Sequence, residues 1–283
     1  MKYPVLLPNI FDYPLTYQSS LKLKTGDYVN VPFGRKIITG VVWDKFEQNF
    51  NKKFEIKSVK EKLNIASLKI HTIDFLNWFS QYNLVPLGLA LRLHLLSGNA
   101  IEKQKNIEYQ KYQIQINKEK FHLSDEQEKA FKELIKHDNS FRVHLLQGTT
   151  GSGKTIVYFK AIEKIINQGQ QSLILLPEIG LAGEFEKKFK NFFGFESAVW
   201  HSRITPKRKK VIWSGLSNGE IKVVIGARSA LFLPFRKLGL IVVDEEHDQS
   251  FKQDEGVTYN ARDMAIARAN SENIPINLVT AVP

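Results

Sequence analysis

The octapeptide GTTGSGKT, Gly148 to Thr155, constrains this chain more than any other stretch. It follows the apolar run Val143–Gln147 and precedes a helical pattern that begins at Gly153. Every fixed position of G-x-x-x-x-G-K-[ST] is present, in the strand–loop–helix context that gives the motif its meaning. Glycines in such a loop let successive backbone N–H groups turn inward around phosphate oxygens. The helix behind the loop presents the positive end of its dipole to the same charge. Lys154 is placed to reach the β- and γ-phosphates, and the Thr155 hydroxyl to ligate Mg2+. ATP and Mg2+ are therefore the expected ligands. Gly148, Thr149, Thr150, Gly151, Ser152, Gly153, Lys154 and Thr155 are the expected contacts.

A loop of this type sits in a parallel sheet, and residues 123–283 carry the pattern of one. Apolar runs at Phe141–Gln147, Ser172–Leu176, Glu196–Trp200, Ile221–Ile225, Leu240–Asp244 and Ile276–Thr280 read as strands buried on both faces. Helical patterns at Gly153–Asn167, Leu181–Phe193, Pro206–Leu216 and Ala261–Ala269 lie between them, as in an α/β domain. The run Leu240–Val243 ends on Asp244–Glu245–Glu246–His247. A carboxylate at the C-terminal end of a parallel strand stands at the edge where such sheets bind ligands. Asp244 suits a Mg2+ ligand beside Thr155, Glu245 suits the group that orients attacking water, and His247 suits a sensor of the γ-phosphate. The catalytic candidates are Lys154, Asp244 and Glu245. The plain alternative for the acidic motif is a solvated strand end.

Residues 1–98 read as a separate, smaller unit. Val5–Pro8, Asp27–Phe33, Ile37–Asp44 and Phe54–Val59 have strand character, and Leu68–Tyr82 has helical spacing. Residues 99–122 are polar and rich in Gln and Lys and read as a linker, with Tyr112–Ile116 its one strand-like stretch. The net charge of +11 over 283 residues favours a polyanionic partner, and residues 1–100 hold 13 Lys and Arg against 7 Asp and Glu. With no cysteine, the chain has no disulfide, thiol catalysis or Cys-ligated zinc. Met1–Tyr13 carries prolines and an acid in place of a signal-peptide core, and the most apolar run, Leu84–Leu96, is too short to span a bilayer and contains Arg92. A cytoplasmic protein with no membrane partner is expected.

Four strings in order, LLPEIGLA (Leu175–Ala182), GARSALFLPF (Gly226–Phe235), DEEH and its extension DEEHDQSFKQDEG (Asp244–Gly256), resemble the PriA family of replication-restart helicases. Phe11–Asp12–Tyr13, Val31–Pro32–Phe33–Gly34, Ile56–Lys57–Ser58–Val59 and Tyr82 with Pro86–Leu87–Gly88 resemble that family's DNA 3′-end-binding domain. The resemblance implies a small β-rich DNA-binding domain at 1–98, then one RecA-like P-loop domain of superfamily 2 helicase type at 123–283. It implies a motor moving 3′ to 5′ on single-stranded DNA that recognises stalled forks and free 3′ ends and helps reload the replicative helicase. Primosome proteins and single-stranded DNA-binding protein are its implied partners. The implied pocket for the 3′-terminal nucleotide comprises Phe11, Asp12, Tyr13, Gly34 and Lys57: an aromatic stacks a base, Asp12 accepts from the 3′-hydroxyl, and Lys57 meets a phosphate. Core packing is the alternative for Phe11 and Tyr13. The resemblance also makes Gln127 an adenine contact, in competition with a capping box, Ser124–Gln127. Arg228 and Ser229 become contacts to the DNA backbone. The basic run Pro206–Lys210 reads as a solvated helix face.

The sequence also departs from the family. The interval 99–122 is too short for the winged-helix domain usual there. Of the aromatics expected after the acidic motif, Phe251 and Tyr259 remain, while Val257 stands where a tryptophan is expected. The usual S-A-T-P motif is Thr280–Ala281–Val282–Pro283 here. No second RecA-like domain with its arginine finger follows Pro283 in this sequence, so nucleotide binding is expected to exceed hydrolysis. Two other readings compete. One is a non-motor 3′-end-binding module with vestigial ATP binding. The other is a P-loop kinase of small molecules, against which the DEEH motif and the basic N-terminal unit argue.

Overall fold

The computed structural model describes residues 1–44, 56–95, 121–136, 140–177 and 182–282. Residues 99–120 of the expected linker with Tyr112–Ile116, the first part of the expected strand Phe54–Val59, Glu178–Leu181 and Pro283 lie outside the described residues. Contacts divide the chain into two units, Met1–Lys105 and Asn106–Pro283.

In the N-terminal unit, alternating apolar and polar residues build a five-stranded antiparallel sheet. Its strands are β1 (Lys2–Leu6), β2 (Leu15–Gln18), β3 (Tyr28–Phe33), β4 (Lys36–Val42) and β5 (Glu61–Lys62), in the spatial order β2-β1-β4-β3-β5. Val5, Leu7, Tyr17, Leu23, Val29, Val31 and Val42 fill the core beneath it. β3 and β4 form a hairpin in which Phe33 pairs with Lys36, leaving a two-residue turn whose first residue, Gly34, has φ +59°. Helix α1 (Ile70–Tyr82) buries Ile73, Phe75, Leu76 and Phe79 at helical spacing, and α2 (Leu87–Leu95) follows. The buried Tyr28 hydroxyl meets His94 Nε2 at 2.8 Å, which ties β3 to α2.

Several elements here differ from expectation: β1 begins at Lys2, before the expected Val5–Pro8, and β2 and α2 lie in stretches read as neither strand nor helix. The described part of Phe54–Val59 makes a single bridge, Gln18 to Ser58, and the strand lies further on at Glu61–Lys62, paired with Val29 and Asn30. The apolar run Leu84–Leu96 supplies α2, whose apolar side is covered within this unit. Pro86 immediately before it favours a helix start, since its missing N–H would have had no partner in the first turn.

The C-terminal unit begins with α3 (Asp125–Ile135), opened by a capping box between Ser124 and Gln127. Strand and helix then alternate: β6 (Arg142–Gln147), α4 (Lys154–Asn167), β7 (Gln171–Leu175), α5 (Ala182–Phe193), β8 (Ala198–Trp200), α6 (Pro206–Asn218) and β9 (Val223–Gly226). A 3-10 turn at Arg228–Phe232 leads to β10 (Leu238–Asp244), a second at Gln249–Phe251 to the short hairpin β11 (Lys252–Gln253) and β12 (Tyr259–Asn260), and then come α7 (Ala261–Glu272) and β13 (Pro275–Thr280). The six-stranded sheet is parallel throughout, in the order β6-β13-β10-β7-β9-β8. β7, β8 and β9 are wholly buried, as expected of strands covered on both faces. β6 departs from that expectation. As an edge strand it buries only Leu146, and Val143 and Leu145 are 45% and 61% exposed.

Phe159 of α4 is the hub between α4 and α5. Its ring lies 5.3 to 5.7 Å, centroid to centroid, from Phe185, Phe189, Phe192 and Phe193. Fully buried Arg268 of α7 donates to the carbonyls of Leu231 and Leu233 and so holds the 3-10 turn that carries Arg228 and Ser229. Among the described residues no helix is long and apolar enough to cross a membrane.

Candidate functional site

Parallel strands leave their C-terminal ends on one edge, and the sequence places its motifs there. The loop Gly148–Gly153 joins β6 to α4. Gly151 and Gly153 have φ of +84° and +81°, which side chains other than glycine rarely adopt. Gly153 is the N-cap of α4, so Lys154 and Thr155 occupy the helix's first turn. Lys154 Nζ folds back onto its own loop, donating to Gly148 O at 2.6 Å and Thr149 O at 3.0 Å. Ammonium protons satisfied only by loop carbonyls can transfer to phosphate oxygens arriving in the same cradle.

Asp244 is the last residue of β10, and β13 lies between β10 and β6. Thr280, the last residue of β13, pairs with Gln147, and its carbonyl accepts from Gly148 N at 3.2 Å. Its hydroxyl meets His247 Nδ1 at 2.9 Å, and Glu246 N donates to Val279 O at 2.9 Å. The end of β13 therefore touches both the phosphate-type loop and the acidic motif. The hydroxyl that makes this link is Thr280's; Val282, which stands where S-A-T-P has a threonine, is 48% exposed.

Asp244 is half-buried. Burial pushes its carboxyl above the usual carboxylate range and the Glu245 charge adds to this; hydrogen bonds from Tyr158 and Glu245 N and the charge of Lys154 partly oppose it. Tyr158 Oη donates to Asp244 Oδ2 at 2.8 Å, and Glu245 N to Oδ1 at 3.1 Å. Burial, then the neighbouring Asp244 charge, holds the Tyr158 phenol far above its ordinary pKa. Glu245 has φ +50°, a left-handed conformation unusual for a side chain of this size.

A cavity of about 910 Å3 opens at this edge and is lined by Thr150, Gly151, Gly153, Lys154, Thr155, Asp244 and Glu245 on one side and by Phe121, Phe185, Lys188, Asn191 and Phe192 on the other. The structure thus brings the loop and the acids together. Gln127 divides its amide: Oε1 accepts from Ser124 N at 3.0 Å in the capping box, and Nε2 donates to Ser152 O at 2.9 Å in the loop. A side chain at Gly153 would collide with that Nε2. Sequence reasoning missed Phe121, whose ring stacks on Phe192 at 4.9 Å, because it lies at the end of the stretch read as linker. It missed Tyr158 because a tyrosine at helical spacing reads as core.

Arg228 and Ser229 stand at the same sheet edge with their polar groups engaged internally. Arg228 donates to Lys252 O, and the Ser229 hydroxyl accepts from Trp200 Nε1 at 3.2 Å. Phe251 and Tyr259 are buried, Tyr259 edge-on to Phe232. The first turn of α6 carries Lys207 and Arg208, both exposed, and Lys209, partly buried, with no acid among them.

In the N-terminal unit, Phe11 stacks on Tyr13 at 5.6 Å and meets Phe33 edge-on at 6.0 Å, which sets the pair beside the Gly34 turn. Asp12 is exposed, and its Oδ1 accepts from Leu87 N at 2.9 Å at the start of α2. Gly88 N donates to Phe11 O at 2.9 Å, an approach so close that a side chain at Gly88 would strike the carbonyls of Leu7, Asn9 and Phe11. Lys57 is fixed through its backbone, whose carbonyl accepts from Gln18 N at 3.0 Å, while its side chain is exposed. Asp12 also borders a second cavity of about 590 Å3 with Trp43, Asp44, Asn77 and Gln81.

Fold and site together define a P-loop α/β domain of helicase type that follows an antiparallel β-rich unit in the sequence. Residues 124–283 match the DEAD/DEAH box helicase family, and the chain belongs to that family. Residues 3–95 match the 3′DNA-binding domain family. The replication restart protein PriA of Rickettsia conorii is 41% identical over 281 residues, covering 99% of this chain and 42% of that protein. The protein of the same name from Helicobacter pylori strain J99 is 35% identical over 270 residues, 95% of this chain and 41% of that one. The solved structure of RecG bound to a three-way DNA junction aligns with 58% of this chain and 21% of its own, at 29% identity and a TM-score of 0.45. The chain spans about two fifths of the length of the full-coverage relatives.

Proposed function

We propose that this chain is the nucleotide-binding and DNA-end-binding part of an ATP-dependent 3′-to-5′ replication-restart helicase. The whole protein would act at stalled forks, with single-stranded DNA-binding protein and primosome proteins as partners. The observation that carries the reading is the meeting of Lys154, Thr155, Asp244 and Glu245 in one cavity at the C-terminal edge of a parallel sheet. The donor set fits ATP with Mg2+. The loop is a backbone cradle with open space around Gly151, and Lys154 is the cation folded into it. One hydroxyl and one carboxylate are hard oxygen ligands of the kind Mg2+ takes together with substrate phosphates. Among the described residues no cluster of three or more His, Asp or Glu is arranged to hold a metal by itself, so the phosphates would have to complete the shell.

In this reading Lys154 exchanges its loop carbonyls for β- and γ-phosphate oxygens. Thr155 and Asp244 would hold Mg2+, which would supply positive charge to neutralise the phosphates. Glu245 orients the attacking water. Thr280, bonded to both Gly148 and His247, carries displacement of the loop to the acidic motif. Gln127 would bring the adenine side under the control of the same loop through Ser152. The N-terminal unit would present Phe11, Asp12, Tyr13, Gly34 and Lys57 to a 3′-terminal nucleotide, and Arg228 and Ser229 would meet the backbone once released from Lys252 and Trp200.

Calorimetry of ATP binding in Mg2+ tests the nucleotide half of the proposal. Lys154→Ala should weaken binding roughly 30- to 100-fold, the worth of one or two hydrogen bonds to charged groups. Equal affinity in wild type and Lys154→Ala would reject it.

A further inference from the structure

The hydroxyl of Tyr158 has no packing reason to exist. The residue is fully buried in α4, with its ring edge-on to Phe159 at 5.3 Å, and a phenylalanine would fill the same space. Burying a hydroxyl is costly unless a partner repays it. Here the partners belong to the nucleotide site. Oη donates to Asp244 Oδ2 at 2.8 Å, and the Thr155 side chain acts on the same phenol, lowering its pKa against the larger effect of burial. Tyr158 follows Thr155 by three positions on α4, so the two side chains share a helix face.

The opposite side of Asp244 is gripped as well. Glu245 N donates to Asp244 Oδ1 at 3.1 Å, and Glu245 itself sits in the left-handed region at φ +50°. One buried phenol and one turned peptide therefore hold the two carboxylate oxygens. Each oxygen has a second lone pair, and the carboxylate borders the cavity that also contains Lys154 and Thr155. A carboxylate held from behind in this way meets a cation without losing rotamer freedom at the moment of binding.

We propose that Tyr158 is a positioning residue of the nucleotide site, acting through Asp244: it fixes the Asp244 carboxylate facing Thr155 and the Gly148–Thr155 loop, ready for a magnesium–nucleotide complex. The inference rests on the nucleotide reading given above and adds to it a residue outside every motif. Tyr158 touches neither nucleotide nor metal. Its effect must therefore appear only where Asp244 matters, in the dependence of nucleotide binding on Mg2+.

The experiment measures binding of a non-hydrolysable ATP analogue to the full chain across a Mg2+ titration, with an EDTA arm. Tyr158→Phe keeps the ring and should leave the EDTA affinity unchanged. It should raise the Mg2+ concentration for half-maximal binding roughly 5-fold, less than the full worth of one hydrogen bond to a charged group because Asp244 keeps its bond from Glu245 N. In an Asp244→Asn background the same change should add nothing, because a double-mutant cycle cancels an effect that runs through the missing carboxylate. An unchanged Mg2+ midpoint in Tyr158→Phe, or a 5-fold shift that persists without Asp244, overturns the inference while the nucleotide site stands. A parallel loss in the EDTA arm assigns Tyr158 to general packing and also overturns it. Absence of binding by the wild type would sink the nucleotide reading itself, and this inference with it.

Discussion

Asp27 in the N-terminal unit and Asp244 in the C-terminal unit are both drawn away from water, yet their surroundings move them in opposite directions. Burial alone would raise the Asp27 carboxyl, but Lys62 Nζ at 2.6 Å, Lys24 N at 2.9 Å and Ser67 Oγ at 2.8 Å outweigh it and hold Asp27 below the usual range. Asp244 has a phenol and one backbone N–H, and burial wins. The charge of Asp27 is balanced inside the protein. That of Asp244 is not, and its cavity contains Lys154 and the open loop. An acid left electrostatically incomplete beside a cavity has the character of a ligand-binding group, and one completed by its neighbours has the character of a staple.

The sharpest way to break this contrast is to neutralise each acid. Asp27→Asn should destabilise the N-terminal unit by about 2 kcal/mol, a figure reduced because Lys62 is partly exposed. Asp244→Asn should change stability by less than about 1 kcal/mol in either direction, as expected when a group is kept for function. Hydrogen exchange of the β3 and β4 amides reports the first, and that of the β10 amides the second. The pH dependence carries a sign. Because the folded-state pKa of Asp27 is depressed, its contribution is fully present above the unfolded value of about 4 and is lost as pH falls through the folded value. The gap between wild type and Asp27→Asn should therefore close in acid. Equal losses from the two substitutions at neutral pH would erase the distinction.

The same contrast explains what could be read in the sequence. The loop Gly148–Thr155 was legible because its backbone demands glycine at φ +84° and +81°, and composition records such demands directly. Asp244 was legible because it ends an apolar strand. Tyr158 was not, since its meaning depends on a carboxylate 86 positions away. Gln127 offered two roles in sequence, a cap and a nucleotide contact. In the structure one end of the amide serves the capping box and the other bonds the loop at Ser152. Arg228 and Ser229 could be assigned a phosphate only by resemblance; their bonds to Lys252 and Trp200 join segments that no local pattern connects. β2 escaped notice because four residues are too few to show alternation, and β5 because only its pairing with β3 makes a strand of two charged residues.

Within the N-terminal unit, Asp12 offers a second comparison with Asp27. It is exposed, and one oxygen caps the start of α2 through Leu87 N. We expect it to be a ligand-facing acid. The full chain should bind single-stranded DNA ending in a 3′-hydroxyl roughly 10-fold better than the same strand ending in a 3′-phosphate, because a site built to bond a hydroxyl rejects its masked form. Asp12→Ala should remove that preference. Asp12→Asn keeps an acceptor for Leu87 N and so separates loss of the cap from loss of recognition. If wild type binds the two strands equally at one salt concentration, Asp12 is a cap and nothing more.

The smallest expected effect falls on Lys57, and it tests whether charge and recognition are separate in this unit. Lys57 is exposed and anchored only through its backbone, so its ammonium can follow a phosphate without holding a fixed geometry. Such a contact acts through counterion release and carries no information about the strand end. Lys57→Ala should weaken binding of 3′-hydroxyl and 3′-phosphate strands alike, about 3-fold at moderate salt. It should lower the slope of log K against log salt by about one unit. The ratio between the two strands should stay at its wild-type value. Titrations of both strands at several salt concentrations decide the matter. A changed ratio with an unchanged slope would place Lys57 in the end-recognition pocket as a directional contact, and the division between an acid that discriminates and a lysine that only attracts would fail.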